Sequence, residues 1–397
     1  MSISFSTKKI VSSYLLISIL FFGYNMLQLP KLPYFALRFL LMFIVAVYAL
    51  KIIKHNIKRS PGMSLFLCYF LYLIFSFLLF FAYDFPSTLI PDAVMSGLFP
   101  MLFFFVGSAD KEESVFEVRF YKYYLWGCIF LFVCSIYLFV TLPSWYLEWK
   151  ISVQPDEWQD NIKVLGSMSG FSGSGYLVGY TALFSFCYLL FKFKSKVAKK
   201  YDILFLFIVV FCLIFSQARV AVLTAAIILL WYLKAIINPK NFFKLLSIAV
   251  LIILFLYYII ASSESLSALF EVFFSKVEGA SEDTRYETGL TLLSQQTNFI
   301  FGHGYGSGGH KANTLGLPSV TDFEYIKLLY ETGIVGLTLF FVILYKTFGV
   351  IKNNKHKYTF EFFIIVFYLM AMLIANPLTA DATMSPIYWY AMGRVLS

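Results

Sequence analysis

Three cationic residues stand in polar segments between apolar runs, where they could bind an anion. They are Lys163, Arg219 and Arg285. A guanidinium group presents a planar fork of donors that matches phosphate oxygens, and it keeps its charge in proteins. If the three segments meet on one side of a bilayer, they predict a site for a polyanion at the membrane surface. The structural alternatives are an arginine that reaches lipid headgroups (Arg219), a local ion pair (Arg285) and an exposed loop lysine (Lys163).

A glycine-rich stretch follows Arg285, and it contains Gly302, His303, Gly304, Tyr305 and Gly306. Glycine lets the backbone approach another group closely, so we assign these five residues to substrate binding, with a merely flexible loop as the alternative. A nucleotide site is excluded because no Gly-Lys-Ser/Thr follows the glycines and no alternation of strands and helices surrounds them.

Two carboxylates, Asp322 and Glu324, precede the next apolar run, and Tyr325 lies beside them. A positioned carboxylate or imidazole can remove a proton from a reacting hydroxyl. We therefore rank Asp322 first, Glu324 second and His303 third as candidate bases, and place Tyr325 with the substrate-binding residues. The pattern offers His303 and His310 without a third ligand, so it predicts no metal.

The elements that must position these residues are membrane helices. The chain is 60% hydrophobic and 13% charged, against roughly 25% charged residues in soluble domains. Its apolar runs approach the length that crosses a bilayer, so we expect an all-α polytopic membrane protein. The twelve predicted spans are 11–29, 34–50, 63–82, 90–107, 120–141, 173–191, 201–216, 218–233, 243–261, 326–345, 359–376 and 384–396.

The net charge of +9 lies in short clusters between these runs, as in 51–59, 192–200 and 346–357. Such clusters report orientation, so they predict cytoplasmic loops rather than a nucleic-acid partner. Both termini are then cytoplasmic, and the first run is an uncleaved helix. We expect one transmembrane domain, 1–397, with two large outward loops at 142–172 and 262–325.

The apolar stretch 201–234 is interrupted only at Ser216-Gln217-Ala218-Arg219. A single helix of this length would reach about 50 Å, well beyond a hydrocarbon core of about 30 Å. The stretch is therefore expected to turn back near Arg219.

Ordered motifs connect these segments. They are Ser216 to Arg219, then Arg285, then Gly302 to Gly306, then Asp322 to Gly336 with its ending Glu331-Thr-Gly333-Ile-Val-Gly336. In this order the chain resembles the superfamily of O-antigen ligases and polymerases. The segment from Lys163 to Gly175 is similar to the family's Arg-x-x-Gly stretch, with lysine in place of arginine.

The resemblance implies a Wzy-type repeat-unit polymerase with a GT-C-like glycosyltransferase architecture in the bacterial inner membrane. Its substrates would be glycans on undecaprenyl pyrophosphate, bound at a site facing the periplasm, without a cofactor. Arg219 and Arg285 would stabilise the pyrophosphate, and Asp322 favours a polymerase because ligases typically have histidine there. A chain-length regulator and a flippase are the implied protein partners.

Two alternatives stay open at this point. An O-antigen ligase, which transfers the glycan to lipid A core, would share the same arginines and loops. A repeat-unit transporter would instead be expected to have charged residues near the bilayer midplane and related halves, and no internal repeat is visible in the sequence.

Overall fold

A computed structural model of the chain describes the residues given at the end of this paragraph. Within them all regular structure is helical, and no strand occurs. The predicted spans 11–29 and 243–261 lie outside this part of the chain, as do Lys163 and Asp322. The described residues are 31–56, 60–110, 114–141, 143–152, 168, 175–216, 218–236, 285–294, 296–320, 323–373, 375, 377–378 and 384–397.

Long apolar helices agree with the prediction of an all-α membrane protein. Five helical segments among the described residues are long and apolar enough to cross a bilayer. Each coincides with one of the predicted spans. They are Pro61–Ala82, Leu89–Ser108, Arg119–Thr141, Gly175–Lys194 and Glu324–Asn353.

The helices belong to two compact units, and the boundary falls at Gly127 within one helix. The first unit comprises Pro30–Gly127 and Thr284–Ser397 among others, and the second includes Cys128–Asp283. The helices before the boundary are α1 (Lys31–Asn56), α2 (Pro61–Ser76), α3 (Leu78–Ala82), α4 (Leu89–Ala93) and α5 (Phe99–Ser108). The helix that contains the boundary is α6 (Arg119–Thr141).

Further helices follow in chain order. The second unit contains α7 (Ser144–Ser152), α8 (Gly175–Lys194), α9 (Lys200–Phe215) and α10 (Arg219–Ile236). The first unit resumes with α11 (Arg285–Ser294), α12 (His310–Thr314), α13 (Glu324–Asn353), α14 (Lys355–Ala371) and α15 (Ser385–Leu396).

Close approach of α5 and α15 forms the centre of the first unit. A Cβ added at Gly107 would lie 2.1 Å from the carbonyl oxygen of Tyr390, and one at Gly393 would lie 1.9 Å from that of Phe104. Small residues at such contacts let two backbones pack directly, as is common between membrane helices. Every residue of α15 is buried.

A π-helical turn, Val94–Leu98, joins α4 to α5. Such turns insert an extra residue into a helix and are frequent at functional sites. Gly97 in this turn faces the hydroxyl of Tyr305, which would lie 2.3 Å from an added Cβ. The turn therefore provides space for one of the predicted substrate-binding residues.

In the second unit, α8 packs against both α9 and α10. The predicted interruption near Arg219 is confirmed, since α9 ends at Phe215 and α10 begins at Arg219. The Ser216 hydroxyl caps the turn by donating to the Leu213 carbonyl at 2.8 Å. Gly179 of α8 leaves room for the turn, because a Cβ there would lie 2.6 Å from the Ser216 hydroxyl.

Candidate active site

Helix α13 is broken at Gly333, within a segment that the sequence predicts as a continuous span. Gly333 has φ 63° and ψ −171°, a conformation accessible almost only to glycine. The break frees backbone groups that an uninterrupted helix would bond internally. Inside an apolar helix these groups require protein partners, so the segment that supplies them must be fixed against the helix.

The partners come from residues 296–309, which we call the glycine loop. Hydrogen bonds run in both directions between this loop and the break. From the loop, the N–H groups of His303 and Gly304 donate to the carbonyls of Tyr330 (3.1 Å) and Glu331 (2.9 Å). From the helix, the N–H groups of Ile334 and Val335 donate to the carbonyls of Phe299 (3.0 Å) and Ile300 (3.2 Å). The loop thus supplies hydrogen bonds that the broken helix lacks, and two of the ordered sequence motifs, Gly302 to Gly306 and the Glu331-Thr-Gly333 segment, form one substructure.

Glycine is required at Gly302 for two reasons. Its φ of 75° lies in the left-handed region, and a Cβ would lie 2.4 Å from the backbone carbon and oxygen of Glu331. The neighbouring glycines also pack closely. A Cβ added at Gly304 would lie 2.6 Å from the Phe80 ring, and one added at Gly306 would lie 2.3 Å from the Ala93 Cβ. The glycines thus serve backbone packing against helices.

A buried acid and a buried base lie beneath this loop. The Nζ of Lys327 is 3.9 Å from the Oε1 of Glu331, with side chains 4% and 0% exposed. The same Oε1 accepts a hydrogen bond from the Gly308 N–H at 3.1 Å. Among the described residues the Glu331 Oε2 and the Ser307 hydroxyl have no hydrogen-bond partner. Ionisable residues inside an apolar helix are costly, which makes this pair part of the candidate site.

Two of the predicted site residues begin α13. Glu324 is fully buried, and its Oε2 accepts the N–H of Leu378 at 3.2 Å. Its own N–H donates to the carbonyl of Met372 at 3.0 Å. The hydroxyl of Tyr325 donates to the Leu369 carbonyl at 3.0 Å. Both side chains therefore connect the start of α13 to the end of α14 and the segment after it.

His303 is enclosed by aromatic rings, 4.6 Å from the centroid of Tyr330 and 4.7 Å from that of Tyr83. Its Nδ1 lies 3.3 Å from the Tyr330 carbonyl oxygen, and its Nε2 lies 3.2 Å from the hydroxyl of Thr297. Burial lowers the pKa of His303, partly offset by the bond to that carbonyl. The imidazole is therefore neutral at physiological pH and able to accept a proton.

Tyr305 is buried between α2 and the π-helical turn. Its N–H donates to the Ser76 hydroxyl at 3.0 Å. Burial raises the pKa of its phenol well above 10. As placed, Tyr305 anchors the glycine loop to the first unit.

Arg219 is exposed at the first residue of α10, in the second unit. A cation at a helix N-terminus opposes the helix dipole, and α10 has no acidic residue in its first turn to offset it. An anion would be favoured there by both the arginine and the free amides of the first turn. The N–H of Met168 donates to the Phe215 carbonyl at 3.0 Å. This bond brings Met168 to the same turn of the second unit.

Arg285 is likewise the first residue of a helix, α11, in the first unit. The structure thus gives both predicted arginines the same backbone setting. Lys163 and Asp322 lie outside the described residues, so their roles stay predictions.

Sequence reasoning missed Thr297, Lys327, Glu331 and Ser307 as site residues. Lys327 and Glu331 carried a usable signal, because opposite charges four residues apart inside an apolar run lie on one face of a helix. Thr297 and Ser307 carried none, since hydroxyl residues are common in loops. Within the part of the chain that is described, no group of three or more histidine, cysteine or acidic residues could bind a metal ion.

Comparison with family models and with curated proteins found no match for this chain.

Proposed function

We propose that the protein is a membrane glycosyltransferase that polymerises lipid-linked oligosaccharide repeat units. The growing glycan leaves undecaprenyl pyrophosphate and is joined to the terminal sugar of another lipid-linked unit. The observation that carries the proposal is the interlocking of the glycine loop with the break at Gly333. It brings together two of the motifs on which the resemblance to the polymerase superfamily rests, and this supports the proposal.

The proposed leaving group is a polyprenyl pyrophosphate, whose negative charge grows as the glycosidic bond forms. Preorganised cations and amide groups stabilise such charge. Arg219 and Arg285 are the proposed pyrophosphate ligands, since each is the first residue of a helix, where backbone N–H groups also favour an anion.

A lipid-linked substrate also needs an apolar surface beside the polar site. Phe299, Ile300 and Phe301 are 52%, 56% and 50% exposed. They lie in the glycine loop, directly before Gly302 and His303. This juxtaposition suits a substrate that has a hydrocarbon tail and a sugar headgroup.

The remaining features follow from the same proposal. The chain would have about twelve spans and a GT-C-like architecture in the bacterial inner membrane. Its site would face the periplasm and both termini would be cytoplasmic. A flippase would supply the repeat units, and a chain-length regulator would limit their polymerisation.

Deletion of the gene tests the activity and separates it from that of a ligase. Loss of a polymerase leaves lipopolysaccharide capped with single repeat units, which electrophoresis resolves as one short band. Loss of a ligase leaves bare core, with glycan accumulating on the lipid carrier. An unchanged ladder of long chains in the deletion strain would refute both activities.

Substitution of the arginines tests the site. In the deletion strain, Arg219→Ala and Arg285→Ala should each abolish long chains while the protein stays in the membrane at its normal level. Arg119→Ala is the matched control for Arg219→Ala, since Arg119 is likewise an exposed arginine at the first residue of a helix. Normal polymer from both of the first two variants would reject the assignment.

A further inference from the structure

The protonation of His303 can be deduced from its neighbours. The Tyr330 carbonyl oxygen can only accept a hydrogen bond, so the Nδ1 at 3.3 Å carries the proton. In a neutral imidazole the Nε2 is then an acceptor, and the Thr297 hydroxyl at 3.2 Å must donate to it. The Thr297 hydroxyl thus contacts a base, the His303 imidazole, which is oriented by the Tyr330 carbonyl. This arrangement activates a side-chain hydroxyl.

The two members of this pair differ in exposure. His303 is 6% exposed and enclosed by Tyr330 and Tyr83. Thr297 is exposed. A reacting group could thus reach the threonine hydroxyl directly, whereas the imidazole is shielded behind it.

The residues on either side of Thr297 fix its position. The side-chain amide of Gln296 donates to the carbonyls of Asn298 at 3.0 Å and Leu329 at 3.2 Å. The side-chain oxygen of Asn298 accepts the Phe301 N–H at 3.0 Å. These bonds connect the loop to α13 and hold the threonine in one place, as a group that takes part in proton transfer requires.

The pair also lies beside the exposed apolar residues Phe299, Ile300 and Phe301. A lipid-linked sugar at this surface would place its polar head next to Thr297. The location suits an acceptor whose reacting hydroxyl belongs to a sugar near the membrane surface.

We propose that Thr297 and His303 form a proton relay for the acceptor sugar, an inference that rests on the proposed glycosyl transfer. As the acceptor oxygen bonds to the anomeric carbon of the donor, the bond from that carbon to the pyrophosphate oxygen breaks, and the pyrophosphate leaves with the electron pair. The acceptor proton passes to the Thr297 oxygen, while the threonine proton passes to the His303 Nε2. The resulting imidazolium is stabilised by the Tyr330 carbonyl. Thr297 touches the substrate, and His303 acts through it.

Thr297→Val and Thr297→Ser test the relay in the deletion strain, with full-length protein and the cell's own repeat units. Valine keeps the shape of threonine but has no hydroxyl, whereas serine keeps the hydroxyl. Proton transfer by a positioned group contributes about 100-fold or more to a rate. We expect the initial rate of long-chain synthesis to fall by about 100-fold with valine and to stay within about threefold of the wild type with serine.

The controls separate a chemical role from a structural one. Thr291→Val changes another exposed threonine, on α11, and should leave the rate unchanged. The purified Thr297→Val protein should melt within a degree or two of the wild type. Normal synthesis by Thr297→Val would overturn the relay, and so would a loss that serine does not rescue or that follows a fall in melting midpoint. Unchanged polymer in the deletion strain itself would refute the polymerase instead.

Discussion

At the scale of single residues, His303 combines two properties that sequence could not reveal together. It stacks on Tyr330 like a structural aromatic residue, yet its two nitrogens contact a carbonyl and a hydroxyl. A histidine between two glycines predicted proximity to a substrate. The structure adds which nitrogen is free to accept a proton, because that depends on a carbonyl 27 residues away.

The lowered pKa of His303 predicts how stability depends on pH. The folded protein binds this proton less tightly than the unfolded chain, where the pKa is about 6.5. The unfolded state therefore binds more protons as the pH falls through about 6.5, and the free energy of unfolding decreases there. Above that pH the contribution is constant.

Thermal unfolding of the full chain between about pH 5 and pH 8 measures this effect. His303→Gln should flatten the dependence below pH 6.5, since glutamine does not titrate. His356→Gln, at an exposed histidine, should retain the wild-type slope. Equal slopes in His303→Gln and the wild type would show that another group causes the dependence.

At the scale of elements, the sequence predicted one helix break and missed the other. The break before Arg219 was visible because polar residues interrupt an apolar run. The break at Gly333 was not, since a glycine in an apolar run is compatible with a continuous membrane helix. Its cause is a loop some thirty residues earlier, whose backbone supplies the missing hydrogen bonds. Such a non-local partner leaves no periodic pattern in the sequence.

Gly333→Ala tests whether this break is essential. Alanine is strained at φ 63° and ψ −171°, and its Cβ would lie 2.2 Å from the Ile300 carbonyl oxygen. Backbone strain and overpacking each cost about 1–3 kcal/mol, so we expect a loss on the order of 3 kcal/mol. The melting midpoint of the purified protein should fall markedly.

Gly349→Ala is the matched control in the same helix, since nothing lies within 4 Å of its added Cβ. Alanine is favoured over glycine in a helix by up to about 1 kcal/mol, so this variant should melt at or above the wild-type temperature. If both substitutions lowered the midpoint equally, the break at Gly333 would carry no special constraint.

At the scale of the whole molecule, α15 is a helix whose burial its amino-acid composition does not predict. The predicted span 384–396 is short and contains tyrosines, a tryptophan and Arg394. The structure buries all twelve residues of α15 within the first unit. Its polar side chains therefore meet protein partners, which hydropathy cannot identify.

A buried ion cluster connects α15 to two other segments of that unit. The Nε of Arg394 lies 2.9 Å from the Glu361 Oε1, and its Nη1 lies 3.6 Å from the Asp110 Oδ1. The Tyr390 hydroxyl donates to the other oxygen of Asp110 at 2.5 Å. The cluster thus joins α15 to α14 and to the segment that follows α5.

Arg394→Met should destabilise the protein strongly, because it removes the cation that faces the buried carboxylates of Glu361 and Asp110. Breaking a buried ion pair from one side costs about 3–5 kcal/mol, whereas replacing both partners by neutral groups costs less. The double variant Arg394→Met with Glu361→Gln should therefore melt above the single variant, and Arg119→Met, at an exposed arginine, should melt like the wild type. Melting midpoints of the purified full chain measure all three. If the single variant were as stable as the Arg119 control, the cluster would contribute little to holding α15 in place.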